Sequence, residues 1–229
     1  MSFFLDSLLA AFHLIVGFDA EVYVIARTSL QVSLVGSALA SVTGVPAGLV
    51  IALTEFRGKR AVLLLLNTLM SLPTVVIGLL FYGLLSRQGP LGDLGILFTP
   101  AGVSLGLFVL ALPLIANLSI AAVHGLDPRL ALTCRALGAT PLQQAWMIIK
   151  EARFAVVCAI VVGFGRVISE VGIAMMIGGN IKGFTRTLTT AIALETSKGE
   201  FELGLALGMF LLIIAFGVNG LLFLFQRAK

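Results

Sequence analysis

Residues 94–126 read LGILFTPAGVSLGLFVLALPLIANLSIAAVHGL, with no Asp, Glu, Lys or Arg among them. About 20 apolar residues suffice to cross a bilayer as a helix. Three other stretches lack those four residue types over comparable lengths: 28–54, 61–86 and 203–226. A fifth apolar segment, 154–178, is interrupted only by Arg166 and Glu170. The fold class read from this pattern is all-α: a polytopic helical membrane protein with five core transmembrane helices. Their expected limits are 26–54, 61–86, 101–124, 154–178 and 203–226.

Composition points the same way. The chain has 229 residues, 59% of them hydrophobic and 11% charged. Soluble domains average about 45–50% apolar and about 25% charged. An ordinary soluble enzyme, a disordered chain and a disulfide scaffold are thereby excluded. The net charge is +4. The basic residues cluster at segment ends, which speaks for membrane orientation and against a nucleic-acid partner. Cys134 lies in a polar loop and Cys158 in an apolar run, so no structural disulfide is expected. His13 and His124 are far apart, and no metal-ligand cluster is visible. A phosphate-binding G-x-x-x-x-G-K-[ST] motif is absent, so no cofactor and no ATP is expected on this chain. The spans carry no Ser/His/Asp or paired-carboxylate constellation, so the chain is not expected to be an enzyme.

The amino-terminal stretch is apolar but short. Phe4, Leu8, Phe12, Ile15 and Val16 would share one side of a helix. Residues 1–19 are therefore read as an interfacial helix, and the absence of a basic start argues against a cleaved signal. If five spans alternate, nine cations fall on one side: Arg57, Lys59, Arg60, Arg129, Arg135, Lys150, Arg153, Arg227 and Lys229. The positive-inside tendency puts that side, and the carboxyl end, in the cytoplasm. No domain boundary is visible. The chain reads as one domain over 1–229, with spans in 26–124, a cytoplasmic segment 125–153 and spans in 154–226.

The cytoplasmic segment carries the clearest local signals. Asp127-Pro128 is an N-cap followed by proline at the first helical position. Gly138 supplies the stop, because glycine accepts the left-handed conformation that ends a helix. Thr140-Pro141-Leu142-Gln143 starts a second helix, with Thr140 and Gln143 forming a capping box. Leu130, Cys134 and Leu137 form an apolar stripe on the first helix, and Trp146 and Ile149 lie on the second. Such a doubly capped pair is either a hairpin resting on the membrane or a rigid docking element for a cytoplasmic partner.

The run from Ala131 to Arg153, ALTCRALGATPLQQAWMIIKEAR, resembles the EAA loop of ABC importer permeases. Leu137-Gly138-Ala139 matches its centre, while Ala131 stands where the pattern has an acidic residue. The stretch from Ser71 to Gly92 resembles the molybdate/tungstate/sulfate branch of type I importers. Gly165-Arg-Val-Ile-Ser-Glu-Val-Gly and the stretch from Gly179 to Gly199 look most like tungstate permeases. The resemblance implies a permease subunit that moves an oxyanion, tungstate before molybdate or sulfate, across the cytoplasmic membrane. It implies a two-fold homodimer, two ATPase subunits that bind ATP and Mg, and an extracytoplasmic binding protein. It assigns ATPase coupling to residues 127–150, with Arg129, Arg135, Leu137, Gly138, Ala139, Thr140, Pro141 and Gln143 as the contacts. An ion channel or secondary carrier without an ATPase is the alternative from another class.

Several residues bear on transport. Arg166 and Glu170 are four apart inside a span, so they can pair. A charge there should face the bundle or a water-filled path rather than lipid. The pair either locks helices or also meets the passing anion. Beyond Gly178-Gly179-Asn180, Lys182 and Arg186 precede Thr187, Thr189 and Thr190. These side chains form a solvated loop, dock an acidic rim of a binding protein, or touch the anion, with Thr187 a candidate for the path or gate. Residues 188–194 are apolar enough to re-enter the membrane. Pro73 and Pro113 should kink their spans. Gly44/Gly48, Gly102/Gly106 and Gly204/Gly208 permit close helix approach.

Overall fold

The computed structural model describes residues 2–227. Lys229 and the side chains of Phe4 and Arg227, all used in the sequence reading, lie outside what is described. Among the described residues the chain is helical, without strands. Its helices are α1 (Ser2–Val16), α2 (Ala20–Leu53), α3 (Lys59–Met70), α4 (Thr74–Leu85) and α5 (Pro100–His124). They continue as α6 (Pro128–Ala136), α7 (Pro141–Ile168), α8 (Gly172–Gly178), α9 (Leu188–Lys198) and α10 (Phe201–Arg227).

Three helical stretches, Ala20–Leu53, Pro100–His124 and Phe201–Gly220, are long and apolar enough to cross a membrane unbroken. Two further candidate spans are bent pairs. α3 meets α4 at 98°, and α7 meets α8 at 59°. Counting each pair as one gives up to five spans. The kink expected at Pro73 in the 61–86 span is a full break, and the single span expected over 154–178 bends after Ile168. In the first, Pro73 has no N–H to donate and disfavours helix at the residue before it. The Ser71 N–H turns back to the Thr68 carbonyl at 3.0 Å, closing α3, and Pro73 becomes the N-cap of α4. In the second, the cytoplasmic helix and the span are one continuous rod from Pro141 to Ile168. The charges at Lys150, Glu151 and Arg153 face outward and do not interrupt it.

The centre of the bundle is α2 packed on α5. Gly44 and Gly48 of α2 lie against the α5 backbone at Leu112 and Ala116, with no room for a larger residue at Gly48. Small residues let helices approach closely where lipid offers no hydrophobic drive for association. Val32, Ala40, Val103, Leu107, Ala111, Ile115, Val167 and Ala174 fill the core beside this seam, joining α2 and α5 to α7 and α8.

The two ends of the bundle differ. At one end, Lys59 pairs with Glu55 at 2.8 Å. The hydrogen bond and charge of Lys59 hold the Glu55 carboxyl below the usual range, slight desolvation opposes this, and His124 at the end of α5 adds a small lowering. At the other end, α9 buries Leu188 and Ala191 against Val22, Ile25 and Ala26 of α2 and Leu207 of α10. The apolar stretch 188–194 is thus the first part of a capped helix whose opening residues are buried. α1 packs against α10. Its 15 residues rise about 22 Å as a helix, short of a hydrocarbon core of about 30 Å.

Candidate coupling surface and transport path

The turn between α6 and α7 is built from local chemistry. The Arg129 N–H donates to Asp127 Oδ1 at 2.8 Å, capping α6. Gly138 takes φ +77, which any residue with a Cβ resists. Around it, the Leu137 N–H reaches the Thr133 carbonyl at 3.0 Å and the Ala139 N–H reaches that of Cys134 at 2.9 Å. The Thr140 N–H donates to Gln143 Oε1 at 2.8 Å, and the Gln143 N–H returns to Thr140 Oγ1 at 3.4 Å. Arg135 Nε donates to Gln144 Oε1 at 3.3 Å and ties the two helices together. Pro141 fills the first turn of α7.

This turn presents apolar side chains to its surroundings. Leu137 and Leu142 are each 81% exposed and Trp146 is 69% exposed, with Leu132 beside them. Leu130 and Cys134 are half-buried, so the stripe expected on the first helix divides. Leu132 and Leu142 escaped the sequence reading because neither falls on that stripe. Their signal is the presence of leucine on the polar side of a capped helix. Exposed apolar residues clustered outside the apolar spans are characteristic of a surface that meets another protein or the membrane. Arg129, Arg135, Thr140 and Gln143 are also exposed around it, and Ala139 is half-buried.

Arg166 and Glu170 meet at the bend of the fourth candidate span. Arg166 Nη1 lies 2.7 Å from Glu170 Oε2. Glu170 stands beyond the end of α7, where its other oxygen accepts the Ile173 N–H of α8 at 3.2 Å. Its main-chain carbonyl accepts the Thr189 hydroxyl at 2.7 Å. Thr187 is buried as the N-cap of α9, in a capping box with Thr190, and its Oγ1 is 3.1 Å from that of Thr189. The first turn of α9 is therefore bonded directly to the bend.

The remaining cations separate. Lys182 is 67% exposed, and its Nζ lies 2.8 Å from the Glu21 carboxylate at the start of α2. Arg186 is buried, with Nη1 3.7 Å from Glu21 and 3.6 Å from Glu195. Lys198 pairs with Glu195 at 2.9 Å. The charges form one chain, Lys182–Glu21–Arg186–Glu195–Lys198, which fastens the loop and α9 to α2. Glu21 lies far from Lys182 and Arg186 in sequence and carried no signal there, whereas Glu195 stands only three residues before Lys198. Among the described residues no three His, Cys, Asp or Glu side chains gather to hold a metal.

Similar proteins agree with this architecture. The family described as binding-protein-dependent transport system inner membrane component matches residues 44–229. The tungstate uptake system permease protein TupB of Campylobacter jejuni is 38% identical over 96% of this chain and 92% of its own length. A probable anion ABC transporter permease protein of Haloferax volcanii is 42% identical over 86% of this chain and 87% of its own. Among solved structures, an inward-facing MetNI methionine ABC transporter superposes with a TM-score of 0.73, covering 88% of this chain and 93% of that one. At 21% identity that likeness is one of fold alone. Bent spans, a capped apolar turn and a match over most of the sequence converge: the chain belongs to the binding-protein-dependent transport system inner membrane components.

Proposed function

We propose that this chain is the permease subunit of an ATP-driven oxyanion importer, with tungstate as the favoured cargo. The observation that carries the reading is the exposed Leu137–Leu142–Trp146 surface on a turn rigidly continuous with α7. A separate ATPase seated there would pull on Gly138, Thr140 and Gln143 through main-chain caps. α7 would carry the displacement into the membrane as one rod. Similarity to a tungstate permease over nearly the full length supports the cargo class.

The reading includes a two-fold homodimer in the cytoplasmic membrane, with two ATPase subunits and an extracytoplasmic binding protein. The α6–α7 turn and the carboxyl end lie in the cytoplasm. Lys182 offers the binding protein an exposed cation, and Arg186 holds the loop beneath it. The test is uptake by proteoliposomes holding permease, ATPase and binding protein, read by metal analysis. ATP-dependent accumulation of tungstate ahead of molybdate and sulfate is expected. Uptake without ATPase would instead identify a channel or carrier.

A further inference from the structure

We propose that the oxyanion touches the Arg166 guanidinium as it crosses the membrane, and that Glu170 is the residue that positions and weakens that cation. The inference deepens the importer reading and rests on it.

The two bent spans break at the same place. A Cβ built on Gly172, just after the α7–α8 break, would stand 3.0 Å from Thr74 Oγ1, just after the α3–α4 break. It would also stand 3.2 Å from Glu170 Oε1. Irregular backbone inside a membrane is tolerated only where protein buries it or water reaches it. Here Ser71, Pro73, Gly165 and Ser169 are exposed around the junction, which leaves an opening there in the single chain. The half-exposed Arg166 guanidinium, inside a candidate span, calls for water or protein around it rather than lipid.

The ion pair is asymmetric across this opening. The Arg166 side chain is 40% exposed, while that of Glu170 is 3% exposed. An anion arriving through the opening meets the cation first and the carboxylate only behind it. Glu170 is immobilised by the Ile173 N–H on its side chain and the Thr189 hydroxyl on its carbonyl, so it fixes where Arg166 points. It also offsets part of the positive charge. Cargo held too tightly would not leave, so a tempered cation suits passage better than a bare one. One guanidinium recognises a tetrahedral dianion by charge and hydrogen bonding alone. It does not separate tungstate from molybdate or sulfate.

Two measurements on the reconstituted three-component complex test this. The first uses Ser169→Cys in a chain with Cys134 and Cys158 replaced. A negatively charged, membrane-impermeant thiosulfonate should label it, and tungstate should slow the labelling. Absence of labelling by that reagent, or labelling indifferent to tungstate, overturns the inference. The second uses Arg166→Gln with Glu170→Gln, which keeps an acceptor for the Ile173 N–H and removes both charges. A locking pair is often replaced by neutral groups without loss of folding. The double variant is therefore expected to assemble with its ATPase and to import about tenfold or more slower, whereas import within about twofold of wild type overturns the inference. If the double variant does not assemble, the labelling result decides alone. Failure of the unaltered complex to import any oxyanion refutes the importer reading instead.

Discussion

Gly172 stands against Thr74 across the junction of the two interrupted spans. The helices that follow the two breaks are also packed together. A Cβ on Gly78 of α4 would sit 2.9 Å from the Met176 Cβ of α8, and Ile77, Leu85, Ile173 and Ile177 share one cluster. α4 and α8 thus form one body beyond the breaks, while α3 and α7 lie before them. A hinge along the two breaks would let α4 and α8 move together against α3 and α7.

Cross-linking tests the hinge. A disulfide needs Cβ atoms about 3.8 Å apart. Thr74 Oγ1 already stands 3.0 Å from the Gly172 Cβ position, where a Sγ at 74 would be needed. Thr74→Cys with Gly172→Cys, in a chain with Cys134 and Cys158 replaced, should oxidise to an intrachain disulfide detectable by mass spectrometry. Uptake should stop on oxidation and return on reduction. Full uptake by the oxidised protein would mean that the two breaks do not move relative to one another.

The coupling turn makes a second prediction. Gly138 at φ +77 donates its N–H to the Arg135 carbonyl at 3.0 Å. Proline fixes φ near −65° and has no N–H, so Gly138→Pro loses both the turn and the bond. The variant should insert normally and fail to co-purify with the ATPase. Gly138→Ala has open space for its Cβ and meets only the backbone strain, about 1 kcal/mol, so it should weaken docking without abolishing it.

That turn was legible in the sequence because its signals are local. Asp127, Gly138 and the Thr140/Gln143 box act within three residues of themselves, so neighbouring letters suffice to find them. The bend at Ser71-Leu72-Pro73 was not legible, since an uncharged run reports depth in the membrane and says nothing of direction. Pro73 was visible as a kink, but not as the start of a helix at 98° to its predecessor. The unbroken length of α7 was hidden behind Lys150, Glu151 and Arg153, which mark the water boundary and not a helix end. The ties of Thr189 to Glu170 and of Lys182 to Glu21 span 19 and 161 residues, beyond the reach of spacing rules.

The Arg166–Glu170 pair predicts unequal costs for its two members. Arg166→Ala strands a buried carboxylate, a change that costs about 3 kcal/mol where burial is complete on both sides and less here, because Arg166 is half-exposed. Glu170→Gln leaves an arginine that already faces the opening and keeps an acceptor for Ile173. Thermal unfolding in detergent should show a larger drop for Arg166→Ala than for Glu170→Gln. Equal drops would mean that Arg166 is as enclosed as its partner.

The charge chain at the other end separates docking from scaffolding. Arg186 lies between Glu21 and Glu195, with its Nε buried and lacking a hydrogen-bond partner. Arg186→Gln leaves both carboxylates without the cation that joins them, each keeping only its more exposed lysine, Lys182 for Glu21 and Lys198 for Glu195. It should lower the unfolding temperature and loosen α9 from α2. Lys182 is exposed and its pair with Glu21 is of the surface kind, worth about 1 kcal/mol or less. Lys182→Glu should therefore leave stability nearly unchanged while weakening capture of an acidic binding-protein rim. Because that attraction acts through water, the difference from wild type should be largest at low ionic strength and shrink as salt is added. Affinity measured across a salt series distinguishes the two roles: a Lys182→Glu effect independent of salt would place the binding protein elsewhere.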